Sequence, residues 1–428
     1  MIKIIDEKEL NGRKKLNFDL SAQKDIEIAV DDIISNVIER GDKALFDYTE
    51  KFDGVKLNDL TVSEVEIENA FKNVDRYFIE TLEIACENII KFHMPQLDNG
   101  YDFEINGCLM GQRVNPIDLV GVYCPGGTAS YPSSVLMNII PAKIAGVSEI
   151  YMVTPPNENG TVKDEILVAA KVSGADRIYK IGGAQAVAAL AFGTETVKRV
   201  DKIVGPGNIF VATAKRKVFG ICDIDMIAGP SEITVISDRN SDSFVIAADM
   251  LSQAEHDVMS SSVLITDCRD FAESVAFEIE KQLQELPRYE IAKKSIENNG
   301  IIVIVDDLDH AADIVNESAP EHLEICVDDP FSFMKKIRHA GCIFLGRETP
   351  EALGDYIAGT NHVLPTSGSA RFASPLGVYD FVKRSSFIYY TKPQLEALKD
   401  RIGDFSRREG LEAHAKSVEI RFEESKKQ

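Results

Sequence analysis

The sequence lacks any long uninterrupted run of apolar residues, although 44% of its 428 residues are hydrophobic. None of its apolar runs approaches the ~18 residues that a helix needs to span a bilayer. The first residues, Met1-Ile-Lys-Ile-Ile-Asp-Glu7, carry charges where a signal peptide has its apolar core. We therefore expect a cytoplasmic protein with no membrane partner.

Basic residues are also scarce: 47 Lys and Arg face 69 Asp and Glu, which gives a net charge of −22. Such a field repels phosphate backbones and anionic lipids, so we expect neither nucleic acid nor a membrane surface as a partner. A cationic substrate would be attracted, but many enzymes are acidic simply because acidity keeps them soluble.

Closely spaced cysteines are absent. The seven cysteines are an odd number, and no two of them form a C-x-x-C pair. This pattern argues against a disulfide framework and against a zinc ion held by thiolates. Free thiols in a reducing compartment are the expected state.

The length exceeds what one hydrophobic core supports, so two or more domains are expected. Residues 1 to about 110 are predicted to be mainly helical, with a capping box at Ser63 and Glu66. From about residue 117, short apolar runs alternate with helices at ~30 residues per unit, the spacing of parallel βαβ crossovers. The predicted strands are 118–123, 149–153, 177–181 and 202–204, then 233–236, 262–266, 301–305, 323–327 and 342–345. The predicted helices among them are 133–145, 163–172, 184–192, 209–219, 244–255, 270–285, 308–317 and 330–338.

Two such series predict an α/β fold with two doubly wound, incomplete Rossmann-like parallel sheets, a helical N-terminal extension and a small C-terminal extension. Ligands of such folds bind outside the carboxyl ends of the strands, so we expect the functional loops there. Past about residue 377 the alternation stops. Helices predicted at 393–401 and 409–423 lie on a polar tail that is too short to build much core alone.

The usual dinucleotide fingerprint G-x-G-x-x-G is absent. Instead, three predicted strands end in glycine turns that lead into helices, namely Tyr123-Cys-Pro-Gly-Gly-Thr128, Ile181-Gly-Gly-Ala-Gln185 and Val204-Gly-Pro-Gly-Asn208. Glycine lets a backbone approach a phosphate, and the helix N-terminus behind it offers amide donors. Any one turn could serve only chain reversal, but three together indicate a nucleotide-sized ligand without naming it.

Histidine is scarce, with seven in the chain, and four lie in polar clusters. Gln253 and His256 share one face of a helix and could hold one metal ion. Alternatively, His256 could only cap the C-terminus of the helix, where the helix dipole favours a cation. Glu321 and His322 lie between a helix and a strand, where an adjacent acid and imidazole suit proton transfer near neutral pH. The alternative for Glu321 is a capping box with Ser318.

Two further clusters are more ambiguous. A long loop from 354 to 368 carries Asp355, Asn361 and His362, which could be functional or could form an Asx-turn beside a surface histidine. Glu409 and His414 are five residues apart and do not share a helix face, so a solvated surface helix is their simplest interpretation.

In this order, the motifs resemble those of histidinol dehydrogenase. The resemblance runs from Lys51-Phe-Asp-Gly54, through the glycine turns and Ala228-Gly-Pro-Ser-Glu232, to Glu409 and His414, or roughly nine-tenths of the chain. It implies a zinc-dependent enzyme that oxidises L-histidinol to L-histidine through L-histidinal in two NAD-dependent steps, the last reaction of histidine biosynthesis.

The resemblance also implies roles for individual residues. It implies zinc ligands at Gln253, His256, Asp355 and His414, the last from the neighbouring subunit of a homodimer. It implies NAD contacts from Tyr123, Gln185 and Asn208. Glu321 and His322 would be catalytic, and the substrate pocket would contain these two residues, the zinc ligands, Ser231, His362 and Glu409.

The same resemblance suggests four parts of the chain: an extension (1–20), a first α/β domain (21–122 with 233–376), a second, NAD-binding domain (123–232) and a C-terminal domain exchanged between subunits (377–428).

Alternatives to the function that the resemblance implies remain open. Cys124 could form a thiohemiacetal, although the family chemistry does not need one. The substrate could be another small alcohol such as a sulfonated diol. Zinc could serve only dimer stability, or the protein could be a scaffold that binds nucleotide for regulation.

Overall fold

The computed structural model describes residues 2–12, 20–126 and 131–423. The last two residues of the predicted Tyr123–Thr128 turn lie outside this range. The chain divides into two compact units, Met1–Gln96 with Ile117–Phe381, and Leu97–Pro116 with Val382–Gln428.

The strands and helices of the described residues are numbered in chain order. The strands are β1 (Lys3–Asp6), β2 (Tyr101–Ile105), β3 (Cys108–Pro116), β4 (Leu119–Tyr123), β5 (Glu149–Val153), β6 (Arg177–Tyr179), β7 (Lys202–Val204), β8 (Asp223–Ile224), β9 (Glu232–Ser237), β10 (Ser261–Thr266), β11 (Ile301–Ile304), β12 (His322–Cys326), β13 (Cys342–Leu345) and β14 (Val382–Tyr389). The helices are α1 (Leu20–Arg40), α2 (Asp42–Asp53), α3 (Glu64–Asn73), α4 (Arg76–His93), α5 (Pro132–Ala145), α6 (Asp164–Ser173), α7 (Gly183–Phe192), α8 (Ile209–Val218), α9 (Ser243–Ala254), α10 (Arg269–Leu283), α11 (Tyr289–Asn299), α12 (Leu308–Ser318), α13 (Pro330–Met334), α14 (Glu351–Tyr356), α15 (Lys392–Arg408) and α16 (Glu412–Glu419).

The first compact unit contains two parallel sheets with the same topology. One has the strand order β6-β5-β4-β7-β8, and the other has β11-β10-β9-β12-β13 with β1 added beside β11. In each sheet the third, second, first, fourth and fifth strands of a series lie side by side, as in the doubly wound nucleotide-binding fold. The prediction of two doubly wound sheets is confirmed. Their switch points lie between β4 and β7 and between β9 and β12.

The six-stranded sheet is covered on both faces, which explains its nearly continuous apolar strands. Successive residues of a strand point to opposite faces, so Leu264 packs into one hydrophobic cluster with Met250 and Val275, while Ile265 packs into another with Val315. The helices therefore clamp the sheet from both sides and hold the ends of β9 and β12 in place.

Local capping signals read from the sequence are present. Ser63 accepts a hydrogen bond from the N–H of Glu66, whose carboxylate accepts the N–H of Ser63 in return, so the predicted capping box is confirmed. Asn208 caps α8 by accepting the amides of Phe210 and Val211.

The second compact unit is built from two distant segments. Its antiparallel sheet has the order β14-β3-β2, so that β14 pairs with a hairpin formed about 270 residues earlier. Helices α15 and α16 follow, joined by ion pairs from Arg407 to Glu412 and Glu419.

All nine predicted strands of the two series occur, none shifted by more than two residues at an end. The prediction that the first 110 residues are mainly helical is confirmed for the described residues, although β1, β2 and the start of β3 also lie there. These strands are short, and distant partners stabilise them. No helix among the described residues has both the length and the apolar character to cross a bilayer.

Candidate active site

A cavity of about 1060 Å³ opens where β4 and β7 diverge. Its lining includes Tyr123 at the end of β4, Gln185 in the first turn of α7 and Asn208 at the start of α8. These are the three residues for which the sequence resemblance implies NAD contacts, and the structure brings them together. The position is the carboxyl-end switch point at which doubly wound sheets bind nucleotides, and the volume suits a ligand of that size.

The polar groups in this cavity are held in fixed positions. The Tyr123 hydroxyl accepts the N–H of Gly183 at 3.0 Å, and burial raises the pKa of this phenol to about 12, so it stays neutral. The buried Oε1 of Gln185 has no hydrogen-bond partner among the described residues. A buried amide oxygen without a donor is costly, which favours a ligand that donates to it.

Gly205, in the turn after β7, shows why this turn needs glycine. Its φ is +108°, and a Cβ there would lie 2.1 Å from the Tyr123 carbonyl oxygen. Buried Lys215 donates to the Gly205 carbonyl at 2.9 Å, while Asp225 accepts the Gly205 N–H at 2.7 Å. Lys215 and Asp225 also form an ion pair with each other. These contacts of Lys215 and Asp225 therefore hold the turn in place against β4.

The second group of predicted residues lies at the amino ends of β9 and β12. His322 is the first residue of β12, Glu321 precedes it, and Glu232 begins β9. We expected functional groups at the carboxyl ends of the strands, but these candidate residues of the six-stranded sheet lie at the amino ends. Parallel neighbours start at the same edge, so β9 and β12 bring residues about 90 positions apart into contact.

The imidazole of His322 has two different sides. Its Nδ1 lies 3.1 Å from the backbone oxygen of Glu232, which can only accept, so Nδ1 carries the proton and donates. Its Nε2 is buried, has no hydrogen-bond partner among the described residues and lies 3.9 Å from Asp355 Oδ1. Burial lowers the pKa of His322 to about 4, so the ring is neutral with its Nε2 lone pair available.

The carboxyl group of Glu321 is also buried. Its Oε2 accepts the N–H of Glu232 at 2.9 Å. Burial raises the pKa of Glu321 well above its ordinary value, and the charges of Glu232 and Asp355 act in the same direction. A raised pKa makes the carboxylate form a stronger base.

Short helix α14 supplies two more groups. The ligand atoms of His322, Glu351 and Asp355 all lie within 4.8 Å of one another. Asp355 was predicted in a loop, but it lies in the last turn of α14, so that prediction is wrong. Glu351 was not predicted at all. The only available signal was its four-residue spacing from Asp355 after Pro350, which places two acids on one face of a helix.

Gln253 and His256 lie at the end of α9. Gln253 is fully buried, and neither atom of its amide has a partner among the described residues. Burial lowers the pKa of His256, and the negative charge of Asp355 acts in the opposite direction. Imidazole and carboxylate are common zinc ligands, whereas an amide oxygen is an uncommon, harder one. A bound metal ion would give the buried Gln253 side-chain oxygen the partner that it lacks among the described residues.

The remaining predicted residues are distributed as follows. His362 Nδ1 lies 3.1 Å from the Asp355 backbone oxygen, and its Nε2 lies 3.0 Å from Ser134 Oγ. Asn361 donates to the Met137 carbonyl and accepts from Val363, which is a structural role. Ser231 directly precedes Glu232, and its carbonyl accepts the N–H of Ser261 at 3.1 Å.

Glu409 and His414 belong to the second compact unit, where both are exposed. Their part in the site stays a prediction.

Cys124 is only 1% exposed, and burial raises the pKa of its thiol to about 12. A buried, protonated thiol is a poor nucleophile, which disfavours the thiohemiacetal alternative. All seven cysteines are free thiols.

The fold and the site define an α/β oxidoreductase with a nucleotide-sized cavity at the carboxyl ends of one sheet and an imidazole–carboxylate cluster at the amino ends of β9 and β12 in the other. A family model described as histidinol dehydrogenase matches residues 18–422, and the chain belongs to that family. The chain is 53% identical to a histidinol dehydrogenase of Listeria monocytogenes, with 97% of each chain covered, and 52% identical to one of Clostridium acetobutylicum, with 99% covered. It resembles the crystal structure of histidinol dehydrogenase from Elizabethkingia anophelis with a TM-score of 0.90, 36% identity and 98% of each chain covered.

Proposed function

We propose that this protein oxidises L-histidinol to L-histidine through L-histidinal, with two NAD molecules consumed in succession, as the last reaction of histidine biosynthesis. The observation that carries the proposal is the state of His322, a neutral imidazole whose unpartnered Nε2 lies 3.9 Å from Asp355 Oδ1. This arrangement offers a base next to a carboxylate that could bind a metal ion.

Zinc would be held by Gln253, His256 and Asp355, with His414 from the neighbouring subunit of a homodimer. When bound, zinc would hold the amine and imidazole nitrogens of the substrate, and NAD in the β4–β7 cavity would accept hydride. Tyr123, Gln185 and Asn208 would contact NAD. Ser231, His362 and Glu409 would complete the substrate pocket, the last again from the neighbouring subunit through the exchanged segment 377–428.

The side chains of this chain then have separate tasks. His322 Nε2 takes the proton of the alcohol while its Nδ1–H, held by the Glu232 carbonyl, keeps the ring oriented. Glu321 takes a proton from water, whose oxygen adds to the aldehyde carbon to form the hydrate. His322 releases its first proton to solvent and then takes a proton from the hydrate as the second hydride leaves. The net change per substrate is two hydrides transferred to two NAD molecules, one water consumed and three protons released. We place this reaction in the cytoplasm.

The test combines a zinc assay with NADH absorbance. The purified protein should contain about one zinc per subunit and form two NADH per L-histidinol. Chelation should abolish NADH formation, and added zinc should restore it. A panel with other small alcohols, including a sulfonated diol, should show no comparable turnover, since the acids around His322 repel a sulfonate. Zinc-loaded, folded protein that forms no NADH from L-histidinol would refute the proposal.

A further inference from the structure

Helix α14 cannot secure its own start. It has only six residues, and its N-cap position is Pro350, whose side chain makes no capping hydrogen bond. Isolated helices of this length are unstable in water, and the first amides of any helix need acceptors from outside. Yet α14 carries both Glu351 and Asp355, so its placement decides what surrounds His322.

The missing acceptor comes from β12. The N–H of Glu351 donates to Glu324 Oε1 at 2.7 Å. Glu324 is 1% exposed and Glu351 is 3% exposed, so water does not compete for this bond. Glu324 lies two residues after His322 on the same strand, and residues two apart point to the same face. One strand therefore presents the imidazole and the carboxyl that anchors α14.

Two carboxyl groups of α14 therefore flank the His322 imidazole. Glu351 Oε1 lies 3.6 Å from His322 Nδ1, and Asp355 Oδ1 lies 3.9 Å from Nε2. Glu351 and Asp355 are one helical turn apart, so a shift of α14 moves both oxygens together. We propose that Glu324 is a positioning residue: by accepting the Glu351 N–H it fixes α14, and so sets the two carboxyl groups that flank His322. This assignment rests on the proposed function, in which His322 is the base and Asp355 a zinc ligand.

What α14 needs from Glu324 is an acceptor oxygen rather than a negative charge. Burial, together with the neighbouring charge of Asp249, raises the pKa of Glu324 to about 8, so the neutral acid predominates at pH 7. Glutamine has the same shape and keeps an acceptor oxygen. Aspartate keeps the carboxyl but is one methylene shorter, so it withdraws the oxygen from Glu351. Leucine fills the space without any acceptor.

The experiment compares Glu324→Gln, Glu324→Asp and Glu324→Leu with the wild type. Zinc affinity is measured by competition with a chelating dye, and kcat and both KM values are measured with L-histidinol and NAD. We expect Glu324→Leu and Glu324→Asp to lose about 10–100-fold in zinc affinity and in kcat, the range seen when a group supporting a metal ligand is removed. The KM for NAD should stay within about twofold, because the NAD cavity lies at the other sheet. Glu324→Gln should stay within about threefold of the wild type throughout.

Glu66→Leu is the matched control. Glu66 also accepts a backbone N–H at a helix start, that of Ser63 before α3. Its loss should lower Tm and leave zinc affinity and kcat unchanged. The assignment of Glu324 is overturned if Glu324→Leu or Glu324→Asp keeps wild-type zinc affinity and kcat, or if Glu324→Gln is as impaired as Glu324→Asp.

Two arms of the design separate possible failures. If Glu324→Leu does not fold, the comparison of Glu324→Gln with Glu324→Asp still tests the assignment of Glu324. Zinc affinity needs no turnover, and the wild-type reaction with L-histidinol is measured alongside. An inactive wild type would count against the proposed function, whereas the ratio of each variant to the wild type judges Glu324 alone.

Discussion

The Nδ1 atom of His322 faces a backbone oxygen of Glu232, 90 positions away, and its Nε2 faces Asp355. The sequence alone showed that an acid and a histidine are adjacent at 321 and 322. It did not show which nitrogen is free, since a carbonyl from another strand selects the tautomer. Nor did it reveal the lowered pKa of His322, which comes from burial by many distant residues.

Replacement of His322 by asparagine removes the proposed base and keeps a polar group of similar size. We expect kcat to fall by about 10²–10⁴-fold in both oxidation steps, the usual contribution of a general base. Zinc content should stay near that of the wild type, as measured by metal analysis of the purified variant. A zinc-free His322→Asn protein would mean that His322 is a ligand rather than a base.

Glu321→Gln tests the role of the adjacent acid. Because Glu321 is proposed to act on water, the loss should be at least about tenfold larger with L-histidinal as substrate than in the oxidation of the alcohol. Single-turnover NADH formation from each substrate separates the two steps. Equal losses in both would reject the assignment of water activation to Glu321.

Glu324 also predicts a pH dependence of stability. Its pKa is raised from 4.5 to about 8 in the folded protein, so the folded state keeps a proton that the unfolded chain releases at lower pH. The stability from this group is complete below about pH 4.5 and falls as the pH rises toward about 8. Glu324→Gln has no proton to lose. Its Tm should therefore match the wild type near pH 5 and exceed it by a few degrees above pH 8, whereas parallel Tm curves would contradict this.

Among the elements, the glycine turns were recognisable from sequence, but their tightness was not. Gly205 lies with its backbone against that of Tyr123, and the pair Lys215 and Asp225 holds it from behind. Only the approach of two strand ends creates this constraint. Helix α14 is a similar case, because its start depends on Glu324 and not on a local cap.

Gly205→Ala should damage the NAD cavity. The added Cβ meets the Tyr123 carbonyl at 2.1 Å, so β4 or the turn must move. We expect NADH affinity, measured by fluorescence titration, to fall at least about tenfold, since a misplacement of about 1 Å can cost 10²-fold in activity. Gly220→Ala is the control, because Gly220 has a similar φ of +97° but nothing within 4 Å of the added Cβ. If both variants lose the same affinity, backbone strain rather than the clash is responsible.

For the whole molecule, the exchanged tail is the largest remaining prediction. If His414 completes the site of the neighbouring subunit, His322→Asn and His414→Ala proteins should each be inactive alone. Mixed after reversible dissociation, half of the dimers would be hybrids with one intact site, so about a quarter of wild-type activity should return. No recovery in verified hybrid dimers would show that His414 acts within its own chain.

The sequence by itself determined what depends on neighbours along the chain: the alternation of strands and helices, the N-cap of α8, the capping box at Ser63 and the motifs that indicate the family. These features can be recognised in the sequence because capping hydrogen bonds and side-chain periodicity involve residues only a few positions apart. Only the tertiary structure decided that the candidate residues lie at the amino ends of β9 and β12, that Glu351 lies 3.6 Å from His322, and that Glu324 accepts the first amide of α14. Those outcomes arise from burial and from strands that pair across 90 residues, and neither is visible in a local pattern.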